Sequence, residues 1–275
     1  MIRKTQLLSD INLRVSYLEA GQGTPLVMIH GVGMNAETWY PQIDALSRYF
    51  RVIALDMPGH GESEGFRHAT TLKDYVYWLA AFLQTQPETR FSVMGHSMGA
   101  LITAGIAIDF PQRVSHAIVM SGVFRRSDSA REAVVRRAEE LASGNVRLDS
   151  PLDRWFSDDL DEQPLRRQVG SWLQKVDPEG YARAYRAFAE GDRLYADRWG
   201  EIACPVLVMT GELDANSNPE MTRQMATAAP QGQAIVVANA KHMLNLTDAE
   251  RVNEEILTFL HPLSAPVKQQ EPAQE

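Results

Sequence analysis

"MGHSMGA", residues 94–100, sets Gly95 and Gly99 two positions either side of Ser97. This is the spacing of a nucleophile elbow, in which a strand ends, one strained residue reverses the chain and a helix begins. By itself the pattern decides little, because residues this common produce it by chance roughly 0.1 times in a chain of this length. Its surroundings carry the weight: "FSVMG" (91–95) before it is a short apolar run, and "MGALITAGIAIDF" (98–110) after it is helical in character.

Outward from Ser97, strand and helix signals alternate, the pattern of a mostly parallel sheet covered by helices. "QLLSDINLRVSYLEA" predicts a hairpin turning at Ser9-Asp10. Short apolar runs predict further strands at 25–30, 51–56, 91–95, 117–122, 205–211 and 234–240. Strands buried on both faces are expected to be apolar throughout. Helices are predicted at 37–49, 72–84, 98–110, 219–229 and 248–260, with Pro41, Pro111 and Pro219 near helix ends, where proline is tolerated. Between Gly122 and Pro205 the rhythm breaks. Segments such as "SAREAVVRRAEELAS" and "EGYARAYRAFAEGDRL" there have helical periodicity and no strand signal, which predicts a helical insertion capping one end of the sheet.

The 275 residues are 44% apolar and 23% charged, enough to bury the core of one large α/β domain with an insertion. A net charge of −8 argues against nucleic acid and anionic membranes as partners and leaves a small-molecule substrate. The single cysteine, Cys204, excludes an intramolecular disulfide and is read as a buried apolar residue in a cytoplasmic protein. The N-terminus has no apolar signal core, and the longest apolar stretch, "ALITAGIAI", falls far short of the roughly 18 residues a membrane span needs. "HPLSAPVKQQEPAQE" predicts a disordered tail. Oligomeric state is left open, a homodimer included.

In an open parallel sheet, ligands bind beyond the carboxyl ends of the strands. A serine there needs a base to remove its proton, and the base needs a third group to orient it. Elbow hydrolases supply these in the order Ser, acid, His. His242 follows the last predicted strand, whereas His261 closes the last helix, so His242 is the expected base. Asp214, three residues past its strand, is the expected acid, with Glu212 second. The amide of Met98 and that of Val32 in "HGVG" are expected to hold the oxyanion. Asp56 and Ser63 are read as shaping the "DMPGHGES" loop. The sequence contains neither a cluster with metal-ligand spacing nor a phosphate loop, so no cofactor is expected.

"HGVGMNAETWYPQIDAL", "RVIALDMPGHGES", "VMGHSMGA", "VLVMTGELD" and "KH" before a C-terminal helix resemble, in order, the landmarks of the α/β-hydrolase fold enzymes over about residues 10–260. The resemblance implies an eight-stranded, mostly parallel sheet, with core segments 1–123 and 201–262, a helical lid at 124–200 and a tail at 263–275. Serine as nucleophile separates the chain from the dehalogenase and epoxide hydrolase branches. Within the family it is similar to enol-lactonases, carbon-carbon hydrolases of ring-fission products, and acylaminomethylene succinate hydrolases. The expected activity is hydrolysis, through an acyl group on Ser97, of an ester, lactone or related acyl bond in a small carboxylated metabolite. Carbon-carbon or enamide hydrolysis is the alternative within the enzyme class. A ligand-binding protein without turnover is the alternative outside it. Arg125, Arg126, Arg154, Arg166, Arg167, Arg183 and Arg186 in the insertion suit a substrate carboxylate. Arg125 and Arg126 are named first because they follow a strand end.

Overall fold

The computed structural model describes residues 1–68, 70–143 and 149–260. The tail expected at 263–275 lies outside them. Eight strands form one sheet: β1 (Ile2–Leu8), β2 (Leu13–Ala20), β3 (Pro25–Ile29), β4 (Arg51–Leu55), β5 (Phe91–His96), β6 (Val114–Met120), β7 (Val206–Gly211) and β8 (Gly232–Val237). Their order is β1-β2-β4-β3-β5-β6-β7-β8. The β1–β2 and β2–β4 pairs are antiparallel and the others parallel. The chain turns one way from β3 to β4 and the other way to β5, so the sheet reverses order between β3 and β5, the place where open α/β sheets hold ligands.

Among the described residues ten α-helices accompany the strands: α1 (Tyr40–Leu46), α2 (Leu72–Gln84), α3 (Met98–Asp109), α4 (Asp128–Ala142), α5 (Asp149–Trp155), α6 (Gln163–Lys175), α7 (Pro178–Gly191), α8 (Pro219–Ala228), α9 (Leu244–Thr247) and α10 (Ala249–Leu260). The strands alternate their side chains between two cores. Leu26, Met28, Val52 and Ala54 face Ile43 and Leu46 of α1 and Val252 and Ile256 of α10. Val27, Ile29, Ile53 and Leu55 belong with Trp78 and Leu79 of α2 and Ile102 and Ile106 of α3. This period of two places helices on both faces. Each strand of the β3–β5 pair is buried along its whole length.

The helix expected at 37–49 is shorter and begins as a tight turn. Asn35 accepts the Glu37 amide at 2.8 Å, residues Ala36–Trp39 form a 3-10 turn, and Pro41 stands in the first turn of α1. The strand expected to run to residue 240 stops at Val237, because Asn239 takes a left-handed φ of 60° and redirects the chain toward His242. The interval from 124 to 200 holds α4 to α7 and, among the described residues, no strand. None of the described helices is long and apolar enough to cross a membrane.

Candidate active site

Ser97 sits between the end of β5 and the start of α3 with φ 56° and ψ −111°, a left-handed conformation that a non-glycine residue adopts only when its surroundings enforce it. The enforcement is visible. The Ser97 amide donates to the Met120 carbonyl of β6 at 2.9 Å. A Cβ on Gly95 would overlap the Gly99 carbonyl, and one on Gly99 would overlap the Ile29 carbonyl of β3. Both glycines therefore let α3 start hard against the sheet.

His242 arrives from the turn after β8, and Asp214 from the turn after β7. The Nδ1–H of His242 donates to Asp214 Oδ2 at 2.8 Å. The other carboxylate oxygen, Oδ1, accepts the amides of Asn216 at 2.8 Å and Ser217 at 3.0 Å. Burial pushes the Asp214 carboxyl up, but the charge and hydrogen bond of His242 and these two amides outweigh it and hold Asp214 below the usual carboxylate range. Asp214 is thus an ionised, rigidly aimed acceptor. Glu212, the second acid candidate, is exposed and accepts the Asn239 amide at 3.0 Å, which braces the same turn from outside.

His96, next to the serine, points elsewhere. Its Nε2 donates to the His242 carbonyl at 2.8 Å, which fixes the backbone of that residue. Burial first, and the neighbouring His242 second, push its pKa down to about 3, so it stays neutral. Asn245 ties the following turn to the Thr38 carbonyl at 3.0 Å, while Gln42 reaches the Asn245 carbonyl at 2.9 Å.

The loop after β3 carries Val32. Two buried histidines hold that loop. His60 Nε2 accepts the Gly33 amide at 3.0 Å, and His30 Nε2 accepts the Met57 amide at 3.0 Å. Both roles require neutral rings, and burial provides them: His60 is pushed down to about 4 and His30 far below the usual range. With the Gly33 amide used by His60 and the Met34 amide by the Gly31 carbonyl, the Val32 amide has no acceptor among the described residues. The Met98 amide opens α3, where the first amides have no acceptor within the helix. Asp56 and Ser63 shape their loop as expected. Asp56 accepts the Ala36 and Glu62 amides and pairs with Arg3 at 2.6 Å, and Ser63 bridges the Asp56 carbonyl and the Ser16 amide.

Ser97, His242 and Val32 line a cavity of about 740 Å³ whose far wall comes from α4, α5 and α7. Of the seven arginines singled out from the sequence, Arg126 and Arg154 reach it. Arg125 does not: it has a left-handed φ of 46° and pairs on the surface with Asp197 at 2.5 Å. Arg166 pairs with Asp153, Arg183 with Glu179 and Arg186 with Glu190. Arg126 is almost fully buried over the Phe188 ring, with burial pushing its pKa down to about 10. Asp192 accepts its amide at 2.9 Å and pairs with both Arg126, at 3.5 Å, and Arg131, at 2.7 Å. Two guanidiniums share one carboxylate, and Arg126 Nη2 has no hydrogen-bond partner among the described residues. The cavity wall also contains Arg137, Tyr181, Tyr185 and Trp155, none of which the sequence reading named as binding residues. Arg137 lies in a helix rich in charge, and nothing in its spacing separates the cavity face from the solvent face.

These features define a class. The description "Alpha/beta hydrolase family" matches residues 26–255, and the chain belongs to that family as a hydrolase. It is 47% identical over 260 residues to the (E)-2-((N-methylformamido)methylene)succinate hydrolase of Acinetobacter baylyi, covering 94% of this chain and 98% of that one. Among solved structures it is similar to the enol-lactonase of Burkholderia xenovorans, with a TM-score of 0.84, 25% identity and coverage of 94% and 100%. A malate-bound esterase from Thermogutta terrifontis shares the fold with a TM-score of 0.87, 24% identity and coverage of 96% and 100%.

Proposed function

We propose that this protein is a cofactor-free serine hydrolase that cleaves the N-acyl bond of an acylaminomethylene derivative of a small dicarboxylate, with Ser97, His242 and Asp214 as its catalytic residues. The observation that carries the substrate class is the near full-length similarity to a hydrolase of that kind. This is the alternative bond type of the sequence reading, preferred now over the ester or lactone. Ser97 Oγ attacks the acyl carbon as His242 Nε2 takes its proton, and the Val32 and Met98 amides hold the oxyanion. Collapse breaks the carbon-nitrogen bond, the nitrogen takes the proton from His242, and water then releases the acyl group from Ser97 as a carboxylic acid.

The substrate's own electronics fit this scheme. Its nitrogen lone pair is shared with the carboxylate-bearing double bond, so the amide is less resonance-stabilised than an ordinary one. Arg126, a cavity-lining cation whose buried Nη2 has no hydrogen-bond partner among the described residues, supports binding of a carboxylate at that end. The helices of residues 124–200 act in this reading as the lid that gives the cavity its charge, and the protein works in the cytoplasm on a small metabolite.

The test is turnover of (E)-2-((N-methylformamido)methylene)succinate beside an enol-lactone and p-nitrophenyl acetate. We expect kcat/KM for the enamide to exceed the other two by about 100-fold or more, and Ser97→Ala to remove all three activities. Better turnover of the lactone or ester would return the reading to those bonds. Full activity in Ser97→Ala would overturn the nucleophile.

A further inference from the structure

The end of helix α5 is gripped from two sides by consecutive residues, 241 and 242. Lys241 Nζ donates to the Phe156 carbonyl at 2.7 Å and to the Asp153 carbonyl at 3.4 Å. The ring of His242 lies against that of Trp155, stacked with centroids 5.7 Å apart and planes 27° from parallel. Phe156 is buried, Lys241 and Trp155 are half-buried, and Trp155 lines the cavity. We propose that Lys241 and Trp155 are positioning residues for the reaction: Lys241 fixes the end of α5, and α5 thereby lays Trp155 on the imidazole of His242. The proposal rests on the reading of His242 as the base.

Asp214 holds the imidazole at one nitrogen only, and His96 holds the backbone beneath it. Neither contact fixes the tilt of the ring about its hydrogen bond to Asp214. A flat aromatic surface parallel to the ring does. It also responds to charge: the imidazole becomes a cation when Ser97 loses its proton, and the electron-rich face of an indole attracts a cation more than a neutral ring. The contact therefore strengthens toward the transition state, which is the condition for accelerating the chemical step. The position of Trp155 must be held for this to work. The last carbonyls of a helix have no partner within it, and the Lys241 ammonium takes two carbonyls at the end of α5.

The experiment measures the second-order rate at which a fluorophosphonate probe labels purified full-length protein, together with kcat and KM on p-nitrophenyl acetate and the melting temperature. Trp155→Ala and Lys241→Met should each slow labelling about tenfold, the scale of a desolvated cation–π contact, through kcat rather than KM. Trp155→Phe keeps a stacked ring and Lys241→Arg keeps a donor to the two carbonyls, so both should label within about threefold of wild type. Because Lys241 acts through Trp155, adding Lys241→Met to Trp155→Ala should cause no further loss. Wild-type labelling by Lys241→Met, or an equal slowing by it in the Trp155→Ala background, overturns the proposal. If Trp155→Ala does not fold, failure of Lys241→Arg to restore the rate lost in Lys241→Met overturns it. Absence of labelling in wild type, or undiminished labelling in Ser97→Ala, instead overturns the assignment of the nucleophile.

Discussion

Gly99 shows how one missing methyl group sets up chemistry. Its Cα lies so near the Ile29 carbonyl that any side chain would push α3 away from β3. We expect Gly99→Ala to cost about 3 kcal/mol or more of stability, because the clash is with backbone, and a lowered urea midpoint checks it. In the proposed mechanism Asp214 works by charge and aim. Asp214→Asn should fold, yet it offers His242 an amide that can favour the wrong tautomer, so kcat is expected to fall on the order of 10³- to 10⁴-fold. Steady-state turnover of the enamide measures this. Both residues were legible in the sequence, Gly99 by its place in the elbow pattern and Asp214 by its place after a strand. The amides of Asn216 and Ser217 that fix Asp214 were not, since a backbone donor leaves no mark in residue identity.

Elements were read unevenly, and for physical reasons. Helix α2 matches its expected bounds of 72–84, and the structure shows why its start is sharp: Thr71 and Asp74 form a capping box there. Thr71→Ala should lower stability by about 1 kcal/mol, visible in thermal melting. The insertion was legible as a helical lid, but not which side chains of α4, α5 and α7 line the cavity, because periodicity gives a buried face without saying what lies across it. Arg125 and Arg126 are neighbours in sequence, yet the left-handed turn at Arg125 sends the first outward and the second over the Phe188 ring. Arg126→Met should raise KM for the proposed dicarboxylate substrate by about 10-fold or more, the scale of a lost charge-assisted contact, while Asp192 keeps its pair with Arg131. Steady-state kinetics on the enamide decide it.

Across the whole molecule, buried neutral histidines tie stability to pH. In the unfolded chain an imidazole takes up a proton as pH falls through about 6.5. In the folded protein His60 resists until about 4 and His96 until about 3. The unfolded state therefore binds more protons in between, and stability is full above about pH 7 and declines as pH drops from about 6.5 toward 4. For His60 alone the loss is on the order of 3 kcal/mol by pH 4. His60→Gln, which can still accept the Gly33 amide, should lose less between pH 7 and pH 5 in urea titrations than the native protein. A mostly parallel sheet followed from alternation, but neither the strand order with its switch between β3 and β5 nor the approach of Lys241 to the end of α5, which joins segments far apart in sequence, could be read that way. That separation also orders events in time. A chain growing from its N-terminus acquires Ser97 early, then the cavity wall, and only near the end Asp214 and His242. In the proposed mechanism, an unfinished chain holds a serine no different from any other, and hydrolytic activity appears only once the last strand is laid against β7.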